Sequence, residues 1–383
     1  VSISRGKLNG SVELVNSILF VKISKADIAD GKFLEGAHIQ IFGKDGKVVE
    51  EWDSTKEAHE VTGLKAGEIY TLRETVAPEG YTVTEDITFT IETDGTVKVG
   101  ETTATNKTVV MRDEKTEVTI SKKEVAGSDE LPGAELQILD KEGNVKDSWT
   151  TGGEAHKVSG LKVGTYTLHE VSAPDGYAVA EDITFTIEAD GTVKVGETVA
   201  GDNIVEMKDM PIVTANGTKT WNVPEGTTLP ESITVNLYQN GTKIDSKTVT
   251  AKEGWKYSWI GLEAYSEDGK TAYTYMVDEE AVTGYNKTVD GYNITNTITG
   301  TTEVSGTKTW NVPEGTTLPE SITVNLYRNG EKIDSQEVTA ENGWKYSFDN
   351  LPKYSEDGKT AYTYTVDEEA VTGYNKTVDG YNI

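Results

Sequence analysis

Four lysines, four glutamates and three Asp or Asn residues recur in one fixed order along the chain. Lys25, Lys122, Lys219 and Lys308 each lie in the opening strand-like stretch of a repeated block, read as VKISKAD, VTISKKE, GTKTW and GTKTW. Glu74 and Glu170 stand inside YTLRETVAPEGY and YTLHEVSAPDGY; Glu279 and Glu368 stand inside YMVDEEAVTGY and YTVDEEAVTGY. Asp113, Asp209 and Asn296 lie in the closing stretch of the first three blocks. Alternation makes each glutamate segment a strand with one buried face. Tyr70 and Leu72 share that face with Glu74, as Tyr166 and Leu168 do with Glu170. A carboxylate on the core side is costly unless it is paired. One lysine and one Asp or Asn per block supply candidate partners, at the least as a buried ion pair.

The elements that must hold these side chains come as two pairs of repeats. Val21–Asp113 returns as Val118–Asp209, and the unit opening GTKTWNVPEGTTLPESITVNLY begins at Gly217 and again at Gly306. The spacing is 97 residues from Lys25 to Lys122 and 89 from Lys219 to Lys308. Turn signals at Lys44-Asp45-Gly46, Asp94-Gly95, Glu142-Gly143-Asn144, Asn240-Gly241 and Asp290-Gly291 break each unit into short strands rich in Val, Ile, Thr and Tyr. This pattern predicts an all-β chain of four tandem antiparallel β-sandwiches in an elongated array, with no helix of three turns. The boundaries read as 18–115, 116–212, 213–299 and 300–383, joined by short, rigid connectors near 114–117, 210–215 and 299–303. Residues 1–17 read as the closing strand of a preceding domain, because Val12–Asn16 matches Val205–Asp209. The last unit lacks its final strand: Asn382 aligns with Asn293, not with Asn296, and faces the other way.

Composition excludes several functions. The chain has 383 residues, with 36 Lys and Arg against 64 Asp and Glu, for a formal net charge of −28. Such a surface repels nucleic acid and anionic lipid. There is no cysteine, so disulfides, thiol nucleophiles and thiolate metal sites are ruled out. No stretch reaches the length of a membrane span. His38, His59, His156 and His169 have no metal-ligand spacing, and Asp-x-Gly pairs such as Asp190-Gly191 lack the dense acidic spacing of a calcium loop. Neither metal nor cofactor is expected. Trp221 and Trp310, and the tyrosines 265, 273, 275, 285 and 292, read as core packing and turn anchors before they read as a ligand patch.

The motifs also carry a resemblance that covers essentially the whole chain. ISKAD, LEGA, YTLRETVAPEGY, DITFTI and VVMRD, in that order, resemble the SpaA-like subclass of the B-type repeat domains of Gram-positive surface proteins. KTW, LPESITVNLY, GWKYSF and GYNITNT resemble the other B-type subclass, first known from collagen adhesins. The resemblance implies a prealbumin-like, inverse immunoglobulin-like sandwich. It also implies a spontaneous reaction in which the lysine amine condenses with the Asp or Asn side chain, assisted by the buried glutamate. The crosslinks it implies are Lys25–Asp113, Lys122–Asp209 and Lys219–Asn296, with Glu74, Glu170 and Glu279 assisting. Lys308 and Glu368 have no acceptor within the sequence. The rival reading of each site is a buried Lys–Glu–Asp salt bridge that never condenses.

By this resemblance the chain is the stalk of an adhesin, extracellular and anchored to a Gram-positive cell wall. It is expected to be monomeric and not an enzyme beyond one self-crosslinking turnover. A tip outside the sequence would contact host protein or glycan, and a C-terminal anchor outside it would hold the wall. Two alternatives stand beside it: a pilus shaft subunit, for which no YPK-type pilin motif is found, and repeats that themselves bind a host ligand.

Overall fold

The structure, a computed structural model, describes residues 18–383, so the expected strand around Val12–Asn16 lies outside the described residues. Strands dominate, and the helices among the described residues are three single turns of three residues each. None of the described helices is long and apolar enough to cross a membrane. The chain divides into two compact units. One runs to Pro211 and includes Glu267–Lys270; the other comprises Ile212–Ser266 and Thr271–Ile383.

Each unit contains two hydrophobic cores built from inward-facing residues of alternating strands. In the first sandwich, Phe20–Asp27 lies between His59–Thr62 and Thr108–Asp113. The facing sheet has six strands in the order Val48–Asp53, His38–Phe42, Ile69–Val76, Ile87–Ile91, Val97–Val99, Thr102–Thr103. The second sandwich repeats this, with Glu117–Glu124 between His156–Ser159 and the start of Ile204–Asn222.

In the second unit, the later residues of Ile204–Asn222 pair with Lys256–Glu263 and with Asn293–Ile298. The facing sheet of the third sandwich is Thr242–Thr250, Ser232–Gln239, Tyr275–Glu279. The fourth repeats it with Glu331–Thr339, Ser321–Arg328, Tyr364–Glu368, opposite a two-stranded ladder of Thr301–Thr307 and Lys345–Pro352.

The turn chemistry works as the sequence predicts. Asn240 and Gly241 take φ 49° and 82°, the paired left-handed conformation of a tight two-residue hairpin between Ser232–Gln239 and Thr242–Thr250. One feature is absent from the alternation pattern. The ladders are antiparallel except where the lysine strand meets the closing strand, and that ladder is parallel in the first three sandwiches. The strand Ile204–Asn222 runs through residues 210–215.

Candidate functional site

The parallel ladder sets the geometry of the site. Lys25 is paired with Met111, Lys122 with Met207 and Lys219 with Ile294. In each case Asp113, Asp209 or Asn296 stands two residues further on and therefore on the same face of the sheet. The glutamate comes from the opposite sheet. A register shift between His38 and Ile39 leaves Thr75 as the extra residue, so that Ile39 faces Glu74 and His38 faces Val76. The same shift at Glu135/Leu136 surrounds Glu170. Such a bulge re-aims a side chain, here toward the lysine.

In the first sandwich Lys25 Nζ donates to Glu74 Oε2 at 2.7 Å and to Asp113 Oδ1. The side chains of all three are inaccessible to solvent. The Thr84 amide donates to the same Glu74 Oε2 at 2.8 Å, which fixes the carboxyl while leaving Oε1 without a partner. In the second sandwich Lys122 Nζ donates to Asp209 Oδ1 and lies 2.8 Å from Glu170 Oε1, while the Ala180 amide holds Glu170 Oε2 at 2.6 Å. Asp113 Oδ2 and Asp209 Oδ2 are buried and unpartnered. Burial, reinforced by the neighbouring glutamate and opposed by the lysine, pushes Asp113 up to about 7 and Asp209 up to about 6. Both carboxyls thus tend to keep a proton.

The third site is aromatic. Lys219 Nζ lies 3.4 Å from Glu279 Oε2 and 4.3 Å from the centre of the Trp221 ring. Burial lowers its ammonium to about 8, against the pull of Glu279. Asn296 is buried with its Oδ1 unpartnered. In the fourth sandwich Lys308 donates to Glu368 at 3.1 Å and lies 4.4 Å from the centre of the Trp310 ring. Ile383 takes the rung beside it, through Thr309 N to Ile383 O at 2.7 Å. Lys308 lies just past the strand Thr301–Thr307, not within a strand as the sequence reading had it. Asn382 accepts the Thr307 amide at 3.1 Å, away from Lys308.

All eleven singled-out residues are therefore buried, and they gather into four clusters. The histidines instead make surface pairs, such as His38 with Asp53 and His59 with Glu50. Among the described residues no group of three His, Asp or Glu is placed to hold a metal ion. The sequence reading missed the amides that clamp the glutamates, the bulges, and the residues two after Lys25 and Lys122, Asp27 and Glu124. Alternation alone puts those two residues on the lysine's face; that they lie opposite Asp113 and Asp209 follows only from the parallel register.

An amine, an acyl group and a carboxyl, held together out of contact with solvent, have the inventory for amide formation. A plain ion pair is the alternative.

Comparison with known proteins follows the same fourfold division. Residues 20–107 and 116–199 match the family of the SpaA prealbumin-like fold domain, and 215–297 and 304–383 match the Cna protein B-type domain. The collagen adhesin of Staphylococcus aureus is 32% identical over 244 residues, covering 60% of this chain and 20% of that protein, so the chain spans about a fifth of that relative's length. A crystal structure of two B repeat units of the collagen-binding protein of S. aureus is 21% identical, covering 96% of this chain and 98% of that chain at a TM-score of 0.25. The shaft pilin SpaA of Lactobacillus rhamnosus GG is 16% identical, covering 51% of this chain and 98% of that chain at a TM-score of 0.23.

Proposed function

The chain is a tandem array of B-type repeats, two of the SpaA prealbumin-like family followed by two of the Cna protein B-type family, and from that premise we propose that it is the structural stalk of a Gram-positive surface adhesin, stiffened by isopeptide bonds between its own side chains. The modules are bounded at 18–115, 116–212, 213–299 and 300–383. Bonds join Lys25 to Asp113, Lys122 to Asp209 and Lys219 to Asn296. The observation that carries this reading is the buried contact of one amine with one acyl side chain across a parallel first-to-last ladder, facing a clamped glutamate.

The reaction balances within the site. Proton transfer from the lysine ammonium to the glutamate leaves a neutral amine and a neutral carboxylic acid, both favoured by burial. Lysine Nζ attacks the Asp113 or Asp209 side-chain carbon, the glutamic acid polarises the acyl oxygen, and the C–O bond breaks. The hydroxyl of the protonated aspartic acid takes one proton given up by the nitrogen, relayed through the glutamate, and leaves as water, while the glutamate ends the reaction protonated. At Asn296 the C–N bond breaks and ammonia leaves. Nothing regenerates the reactants, so each site acts once.

The consequence is mechanical. Lys25 and Asp113 are 88 residues apart and Lys122 and Asp209 are 87 apart. A crosslink closing such a loop contributes about 4–5 kcal/mol by the chain-entropy account. Tension entering through one terminal strand would pass across the bond to the other without opening the sheets. On this reading host contact belongs to a tip and wall attachment to an anchor, both outside these residues, as in an adhesin of which such repeats form only part.

Intact mass of the denatured chain tests the proposal. The expected deficit against the encoded mass is two waters and one ammonia. Glu74→Ala and Glu170→Ala each restore a water, and Glu279→Ala restores the ammonia. A full encoded mass would leave four salt-bridged sandwiches and no lock.

A further inference from the structure

The reactive lysines in the first two modules have a rival partner. Asp27 lies two residues after Lys25 on the same strand face, directly opposite Asp113 in the parallel ladder, and it is buried. Glu124 holds the same place beside Lys122, opposite Asp209. A carboxylate on the same strand face as a buried ammonium is a candidate to pair with it. Here the oxygens of Asp27 are already engaged: the Ala29 amide donates to Oδ1 at 2.6 Å and the Tyr81 hydroxyl donates to Oδ2 at 2.8 Å. The Tyr177 hydroxyl donates to Glu124 Oε2 at 2.9 Å. Tyr81 and Tyr177 are the tyrosines that end the Ala-Pro-x-Gly-Tyr turns following the glutamate strands.

In the other two modules the rival is absent. Trp221 and Trp310 occupy the equivalent place, and the lysine amine stands over each ring. The equivalent tyrosines, Tyr285 and Tyr374, pack edge-on against those tryptophans at 5.0 Å between ring centres. One turn residue thus covers one position in all four modules, by a hydrogen bond where that position is acidic and by ring contact where it is aromatic.

Building on the crosslinking function proposed above, we propose that Tyr81 and Tyr177 are positioning residues that occupy the neighbouring carboxylate, keeping it from capturing the lysine amine and so directing that amine to Asp113 or Asp209. Burial and the Asp27 contact push the Tyr81 hydroxyl up to about 12, so it stays a donor throughout the neutral range.

The test follows crosslink formation in the full chain, recovered unfolded and unreacted and then refolded, by the mass of the fragment carrying each site. Tyr81→Phe keeps the ring but frees the carboxylate, and should slow formation at the first site about tenfold, the scale of one charge-assisted hydrogen bond. Asp27→Asn alone should leave the rate unchanged. The double variant should return to within about twofold of the unsubstituted rate, because the rival is gone. A merely structural tyrosine would leave the double variant as slow as the single one, and that result overturns the inference, as does an unslowed Tyr81→Phe. The second site of the same molecules reports whether refolding itself was impaired. If the unsubstituted chain never crosslinks at the first site, the underlying function has failed there and this inference with it.

Discussion

At the scale of single residues, the site is a question of where protons sit. In the reaction proposed above, the competent state at the first two sites is a neutral amine with two protonated carboxyls. It holds as many protons as an ammonium, a glutamate anion and a protonated aspartic acid. Either way the aspartic acid must keep its proton. As pH rises through about 6 at Asp209 and about 7 at Asp113, that proton is lost and the competent form disappears. At the third site the acceptor is an amide, and the proton lost as pH rises through about 8 is that of Lys219, which leaves Glu279 without an acid to offer. Refolding unreacted chain across about pH 5 to 9 should therefore slow crosslinking at the two Asp sites before it does so at the third. Coincident profiles, or rates that rise with pH at the Asp sites, would contradict this assignment. Linkage has the same sign before reaction. A carboxyl raised above its unfolded value stabilises the fold at low pH, and that contribution is lost as pH rises through the folded value. An amide does not titrate, so the crosslinked module should lack this dependence.

At the scale of elements, much of the fold was legible, because side-chain period and turn chemistry are local. The alternation around Glu74 put Tyr70, Leu72 and the carboxylate on one buried face, as found. Asn240-Gly241 marked its hairpin. The direction of the lysine and closing strands was not legible, since burial alternates alike in parallel and antiparallel strands. Nor was the bulge at Thr75, which is a matter of backbone register. Gly217 and Gly306 show how tightly the lysine strand is seated. A Cβ at Gly217 would lie 1.9 Å from the Tyr292 carbonyl oxygen and 2.5 Å from the Tyr257 ring, whose hydroxyl donates to that same carbonyl at 2.6 Å. Gly217→Ala should destabilise the third module by about 1–3 kcal/mol or more, read as a lowered denaturation midpoint in a background where Glu279→Ala prevents crosslinking. An unchanged midpoint would mean that the strand can shift to make room.

At the scale of the molecule, the expected rigid connectors can be judged within a unit. Between the first two modules Thr116 is buried, donating through its amide to Gly80 O at 3.0 Å and through its hydroxyl to Leu161 O at 2.5 Å, while it accepts from the Gly160 amide at 2.9 Å. The Val83 amide donates to Ala189 O at 2.9 Å. Gly80, at φ 80°, touches Gly160 so closely that a Cβ would lie 2.6 Å from its carbonyl oxygen. Gly80→Val should loosen the junction. The chain has no cysteine, so spin labels placed at Lys44→Cys and Lys141→Cys would be the sole labels present. Their distance distribution should be narrow in the parent and broaden in the Gly80 variant; equal widths would show that the junction does not depend on this contact. Cysteine-free construction also fits a lock that reductant cannot open.

The most direct measurement is sequencing by mass spectrometry of the denatured, protease-digested chain. The expected product is a branched peptide in which the Lys122 side chain is joined to that of Asp209, lighter by one water than its two arms, with matching branches at Lys25–Asp113 and, lighter by ammonia, at Lys219–Asn296. Recovery of Lys122 and Asp209 only in separate linear peptides with free side chains would contradict it.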